Sequence, residues 1–385
     1  MEKPAAPARF WSLDALRGGC AIVVFLSHWH LWCAFAPVGA GQNFIHAFLQ
    51  NCHEWLIFTT WPTGGHHPAV LAFFVLSGFC IHYPAEWRLA HGNRTLPAGD
   101  YYRRRFLRIM PVYWVASLLG LLLVGLEWWW PTGNALLQFH AQAPLPHIVV
   151  RFLAIAGFYP EEIFVGNYIL NTIAAEIVMY AAYPFFHRLA MDGRWRALGL
   201  GFVLMHAFAI GLLRLGFSPY WAFNSLFMLG LFWFAGALAA HGFVARRWRL
   251  AGWWVLIAWI GFLLVKAVTP FYGLNLIKQA MWGRVCVVAL LWVLTFEERH
   301  GTWRRQQIVG TLCYGGTISY SLYAVHTPVM LITTWFLLRV AGCENYLVQL
   351  AVTLLAAAGA TVACYYLVEH RFYRPRIMSA PPAAP

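Results

Sequence analysis

Ten apolar stretches, each about as long as a bilayer's hydrocarbon core is thick, constrain this 385-residue sequence more than any other feature. They fall at about 13–36, 68–84, 110–128, 166–186, 197–214, 219–240, 251–268, 279–296, 309–337 and 346–368. A helix rises about 1.5 Å per residue, so roughly 20 apolar residues cross a core of about 30 Å. In that medium every backbone N–H and C=O has to be bonded within its own segment, and repeated runs of this length therefore fold as helices. Only 11% of the residues are charged, against about 25% in soluble domains, which excludes a water-soluble enzyme. The expected fold is all-α: a polytopic bundle of about ten transmembrane helices over residues 11–373, with a mobile lead at 1–10 and a tail at 374–385.

The turns carry the charge, and they carry it on one side. With the N-terminus inside, the inner ends and turns hold Lys3, Arg9 and Arg17, then Arg88, Arg94, Arg103, Arg104, Arg105 and Arg108. Further along they hold Arg188, Arg194 and Arg196; Arg246, Arg247 and Arg249; Arg299, Arg304 and Arg305; and Arg371, Arg374 and Arg376. Only six of the 27 basic residues fall elsewhere. The positive-inside rule then gives two cytoplasmic termini and an even number of spans. The first run is too long for a signal peptide and is interrupted by Arg17, so it reads as a retained span.

The net charge of +13 does not point to nucleic acid. Its basic residues recur at one membrane face, where anionic headgroups answer them, and no zinc-finger or recognition-helix pattern accompanies them. The eight cysteines include no CxxC pair, and no metal or redox centre is expected. A bridge between Cys52 and Cys343 stays open. The outer segment 37–67 carries His46, His53, Glu54, His66 and His67 at no familiar metal spacing, and reads as an ordered flap over the bundle.

Against this apolar background the polar residues inside spans stand out, because charge at such depth needs a partner or water. The first span holds Asp14, Arg17 and His28. Arg17 and His28, eleven residues apart, return to nearly the same helix face, roughly 16 Å along the axis. Asp14 and Arg17 also read as an interfacial pair with the arginine stem snorkelling, and His28 as a neutral imidazole bonding a neighbouring helix. Glu176, Tyr180 and Pro184 share a face of the fourth span, where a carboxylate facing His28 would fix its tautomer, or would otherwise be a structural link between helices. The cluster at Arg103–Arg108 suits phosphate oxygens, of lipids or of a phosphorylated cofactor. Ser77 and Gly78 permit close helix approach, and nothing around Ser77 resembles a nucleophile turn. Spans five to eight, with His206, Arg214, Lys266 and Arg284, read as scaffold or as a wall of the acceptor site.

Taken in order, several of these pieces resemble the membrane acyltransferase-3 family of O-acyltransferases. They are SLDALRG (Ser12–Gly18) with the Arg17-x10-His28 spacing, FFVLSGF (Phe73–Phe79), RRRFLRIMPVYW (Arg103–Trp114), the Glu176/Tyr180/Pro184 helix, SYSLYAVHTPV (Ser319–Val329) and the Glu369/Arg371 pair. The resemblance runs from Arg9 to Arg371 and implies a bundle of about ten helices in a bacterial cytoplasmic (inner) membrane, among membrane lipids. It implies an acyl-CoA donor, acetyl-CoA foremost, reached from the cytoplasm, and a hydroxyl acceptor on a glycan or glycolipid. His28 is then the general base or a transient acyl carrier, since acyl transfer to an alcohol needs a base and histidine titrates in the right range. Glu176 orients it, Arg17 marks the cytoplasmic approach, and Arg105, Arg108 and Arg104 hold coenzyme A phosphates. Asp14, Tyr180, Tyr323 and His326 are expected as acceptor or supporting contacts.

The Glu176 helix reads NTIAAEIVMYAAYP and lacks the family's usual tryptophan and fuller acidic pattern, which bears on acceptor geometry. No extracytoplasmic hydrolase-like domain is evident, so a later transfer step would use a partner enzyme. A proton-coupled solute transporter built on the same buried residues, or an inactive scaffold, are the rival readings.

Overall fold

The computed structural model describes residues 10–33, 48, 52, 67–159, 163–216, 226–268, 275–301 and 307–373. The expected lead up to residue 9, the tail and nearly all of the 37–67 flap lie outside the described residues. Ten long helices coincide with the ten apolar stretches: α1 (Trp11–Cys33), α2 (Pro68–Ala90), α3 (Ala98–Trp129), α6 (Leu170–Met191), α7 (Trp195–Arg214), α8 (Leu226–Val244), α9 (Trp253–Val268), α10 (Asn275–His300), α11 (Gln307–Arg339) and α12 (Tyr346–Cys364). Two short helices, α4 (Ala135–His140) and α5 (Leu145–Phe152), lie between α3 and α6. Among the described residues there is no strand.

Among the described residues, seven helices, α2, α3, α7, α8, α10, α11 and α12, are long and apolar enough to cross a membrane. The protein is an all-α, multi-pass membrane protein. Its outward faces are apolar at helical spacing, as with Leu118 and Leu122, Leu200 and Leu204, and Ile260 and Leu264, all exposed; such stripes suit lipid. Helices α1, α6 and the sixteen-residue α9 fall outside the seven. For α6 the reason is visible in its inward stripe of Asn171, Thr172, Tyr180 and Tyr183, which is buried but polar.

Two close helix pairs frame the interior. Helix α2, with 78% of its apolar window buried, meets α8 at Gly78, where a Cβ would lie 1.9 Å from the carbonyl oxygen of Trp233. Helix α1 meets α11 in the same way: a Cβ on Gly18 would lie 2.1 Å from Leu312 O, and one on Gly316 1.9 Å from Asp14 O. Only glycine lets two backbones come this close. The α1 and α11 axes run in the same direction, because Gly18 lies against Gly316 and His28, ten residues on, lies against His326, ten residues on. The start of α1 is tethered to α10, where the Glu297 carboxylate accepts from Trp11 N at 2.7 Å and Ser12 N at 2.9 Å. That satisfies two of the amides a helix start leaves unbonded.

Among its described residues, the stretch 148–166 holds the end of α5 and a 3-10 turn at Ala156–Phe158, each too short to cross a bilayer. Arg151, fully buried, pins it by donating to Ile163 O at 2.8 Å, and Tyr113 of α3 donates to Arg151 O at 2.9 Å. Cys52 and Cys343 are both free, so the bridge left open in the sequence is not formed.

Candidate active site

A half-enclosed cavity of about 720 Å³, its open mouth included, lies between α1, α2, α3, α6 and α11. Helical spacing explains what lines it. Thr172, Glu176 and Tyr180 of α6 recur every four residues and form one stripe, and Tyr320 and Tyr323 of α11 sit three apart on another. Arg17 of α1 and Arg108 of α3 add positive charge, while Phe73, Phe74 and Ile173 supply apolar wall. The space is therefore graded, with guanidinium groups, then a carboxylate, then hydroxyls among aromatic rings.

The positive end reaches beyond the helices. The Arg108 guanidinium lies over the Tyr373 ring, 5.0 Å from its centroid. Burial alone would raise the Tyr373 hydroxyl, yet Arg108, with Arg105 and Arg17, lowers its pKa below the ordinary tyrosine value. Opposite charge nearby here outweighs burial. Nearby, Glu369, buried, accepts from Ser321 at 2.6 Å and ties the end of the α12 segment to α11.

In the middle, one oxygen of Glu176 accepts from the hydroxyls of Ser77, at 2.6 Å, and Tyr180, which are themselves 2.9 Å apart. Ser77 is thus committed to Glu176, while its neighbour Gly78 makes the helix contact. At the far end Thr172 donates to Ile169 O at 2.8 Å, so its single proton is used. The 2.7 Å bond between the Thr172 and Tyr323 hydroxyls therefore runs from Tyr323 to Thr172. Phe73 sets its ring edge-on to Tyr323, centroids 5.8 Å apart.

Beyond this bond, one turn further along α11, lies an imidazole pair. His28 Nδ1 is 3.0 Å from His326 Nε2, and the ring planes are within 6°. Their centroids are 5.3 Å apart, hardly more than the N···N distance plus two ring radii, so the rings meet edge to edge in one plane. His326 Nδ1 is 2.8 Å from Leu322 O. The expected carboxylate partner of His28 is accordingly not what meets it; Glu176 lies in the cavity on the other side of Tyr323, and an imidazole faces His28 instead.

Of the residues singled out in the sequence, Arg17, Arg108, Glu176, Tyr180 and Tyr323 line one cavity. His28 and His326 form the pair beyond it. Arg105 stands behind the wall, its guanidinium 5.5 Å from the Tyr180 ring centroid and 5.8 Å from that of Tyr101. Arg104 is exposed. Asp14 is not among the lining residues; its backbone packs under Gly316. Thr172, Ser319 and Tyr320 also line the cavity and were not singled out for a role. Thr172 stands one turn before Glu176 on the same stripe, which is the signal that could have found it. Among the described residues no three His, Cys, Asp or Glu side chains group so as to hold a metal ion.

A family model described as an acyltransferase domain matches residues 10–369, from the start of α1 to Glu369. No curated protein and no solved structure matches the chain.

Proposed function

The chain belongs to the acyltransferase domain family matched over residues 10–369, and from that premise we propose that it is a membrane O-acyltransferase drawing on acyl-CoA, acetyl-CoA foremost. The acceptor is a hydroxyl of a glycan or glycolipid, and the membrane is the cytoplasmic membrane of a bacterium, with the basic turns inside. The observation that carries this reading is the graded cavity, lined by Arg17 and Arg108 and by the bonded pair Thr172 and Tyr323, with His326 one turn beyond Tyr323 and bonded to His28.

Each part has a chemical role in this reading. Arg17 and Arg108 receive the phosphates of coenzyme A, as guanidinium forks do. The amphipathic shaft past Phe73, Phe74 and Glu176 takes the pantetheine arm. Tyr323, on releasing Thr172, turns its O–H to the thioester carbonyl and stabilises the charge that develops there. His28 removes the acceptor's hydroxyl proton as the oxygen bonds the carbonyl carbon. The carbon–sulfur bond then breaks, and the thiolate takes a proton back from the imidazolium. The Thr172–Tyr323 barrier also favours a second reading in which His28 itself bonds the acyl carbon, releases the thiol and passes the acyl group to an acceptor on the far side.

The test uses the purified protein in liposomes with acyl-labelled acetyl-CoA and an extract of envelope glycans. The reading expects coenzyme A release that depends on acceptor, and label in a glycan identified by mass spectrometry. Uptake of a labelled solute with no consumption of acyl-CoA would favour the transporter instead.

A further inference from the structure

His326 is fully buried and lies outside the cavity, yet its two ring nitrogens are both engaged, and the partners fix which of them carries the proton. Leu322 O, a backbone carbonyl, can only accept, so the 2.8 Å contact requires a proton on His326 Nδ1. In the neutral ring His326 Nε2 then holds a lone pair and accepts. The proton in the 3.0 Å bond to His28 therefore belongs to His28 Nδ1, and the lone pair of neutral His28 is on Nε2. The in-plane meeting of the rings is the geometry such an N–H···N bond prefers.

We infer that His326 is a positioning residue that holds His28 in the Nδ1-protonated tautomer, the part a buried carboxylate plays for other histidine bases. This rests on the reading of His28 as base. It differs from a carboxylate in one respect: a neutral partner stabilises an imidazolium less, so His28 yields its proton more readily to the departing thiolate. Constant register between α1 and α11 aligns the two rings, because the Gly18–Gly316 contact and the His28–His326 contact share one offset. Among the described residues, the rings bordering the pair are Phe25 of α1, Tyr168 ahead of α6 and Tyr323 of α11. Among the described residues, the charged groups that line the cavity beside Tyr323 are Glu176 of α6, Arg17 of α1 and Arg108 of α3. From α12, Leu354 and Ala357 pack into the same cluster.

The test compares His326→Leu, His326→Gln and His326→Glu in the full chain in liposomes, with two readouts. One is the pH–rate profile of acceptor-dependent coenzyme A release. The other is the pH dependence of His28 carbethoxylation by diethyl pyrocarbonate, read by mass spectrometry, which needs no acceptor. Leucine should lower kcat on the order of 10²- to 10⁴-fold with the KM for acetyl-CoA nearly unchanged. Glutamine, whose amide oxygen can accept from His28 Nδ1, should recover activity to within about tenfold. Glutamate should move both the acidic limb of the rate profile and His28 modification to higher pH by about one unit or more. Equal losses for leucine and glutamine, with the glutamate profile unmoved, would overturn the proposal. If the leucine variant does not fold, the glutamine and glutamate profiles decide. His28→Ala separates the two layers: if it still transfers, the base itself is misassigned, whereas an inactive His28→Ala beside a fully active His326→Leu removes only the role of His326.

Discussion

The hydroxyl of Tyr323 donates to Thr172 Oγ1 across 2.7 Å, both residues line the cavity, and His326 of the imidazole pair stands one helical turn beyond Tyr323 on α11. In the proposed reaction the Tyr323 side chain stands between a thioester in the cavity and His28 as its base. Removing either end of the bond has different consequences. Thr172→Val frees the Tyr323 hydroxyl, so acyl transfer should be kept or raised. Tyr323→Phe loses the donor, and kcat should fall about 10- to 100-fold, somewhat less than for loss of a dedicated oxyanion donor. Steady-state kinetics on both variants check this; equal effects would mean the bond only holds helices together.

The two ends of the arginine cluster should separate in kinetics. Arg108 lines the cavity, whereas Arg104 is exposed one turn earlier on α3. A charge-assisted contact is worth about 1.5–3 kcal/mol, so Arg108→Gln should raise the KM for acyl-CoA by about tenfold or more, and Arg104→Gln should leave it within about twofold. With an acyl-pantetheine donor, which lacks the nucleotide phosphates, the difference should vanish.

Glu176 is the acceptor for two hydroxyls at once. Glu176→Ala removes the acceptor of the Ser77 and Tyr180 hydroxyls, both buried, and leaves them only their mutual 2.9 Å contact, which should cost about 1–3 kcal/mol. Glu176→Gln keeps one acceptor oxygen and should cost less. Thermal unfolding of the purified variants in detergent gives the order directly.

The contact of α1 with α11 leaves no room at Gly316, where an added Cβ would meet Asp14 O at 1.9 Å. Gly316→Ala should force the helices apart, destabilise by about 1–3 kcal/mol, and lower transfer because the rings of His28 and His326 part. Gly310 of the same helix has open space where a Cβ would go, so Gly310→Ala should be near neutral in both assays.

The helices were legible in the sequence because a bilayer-length apolar run admits one backbone solution, and among the described residues each of the ten stretches holds one long helix. The shared face of Glu176 and Tyr180 was legible for the same reason, since it follows from spacing within one helix, and the same spacing extends to Thr172, which was not singled out. Partners across helices were not. His28 and His326 are 298 residues apart, and no local pattern says that an imidazole rather than Glu176 meets His28; the glycine contact that sets the register of α1 on α11 decides it. The arginine run shows a similar limit. Arg104 and Arg108 lie on one face of α3 by spacing, but the cavity begins only at the second of them. Arg105, about 100° round the helix, ends up against the back of Tyr180.

The most direct test is His28→Ala in sealed proteoliposomes, with acceptor-dependent coenzyme A release and acyl-CoA binding measured on the same preparation. Release should fall on the order of 10²-fold or more while acyl-CoA binding is preserved. Release at the unmodified protein's rate would contradict His28 as the base.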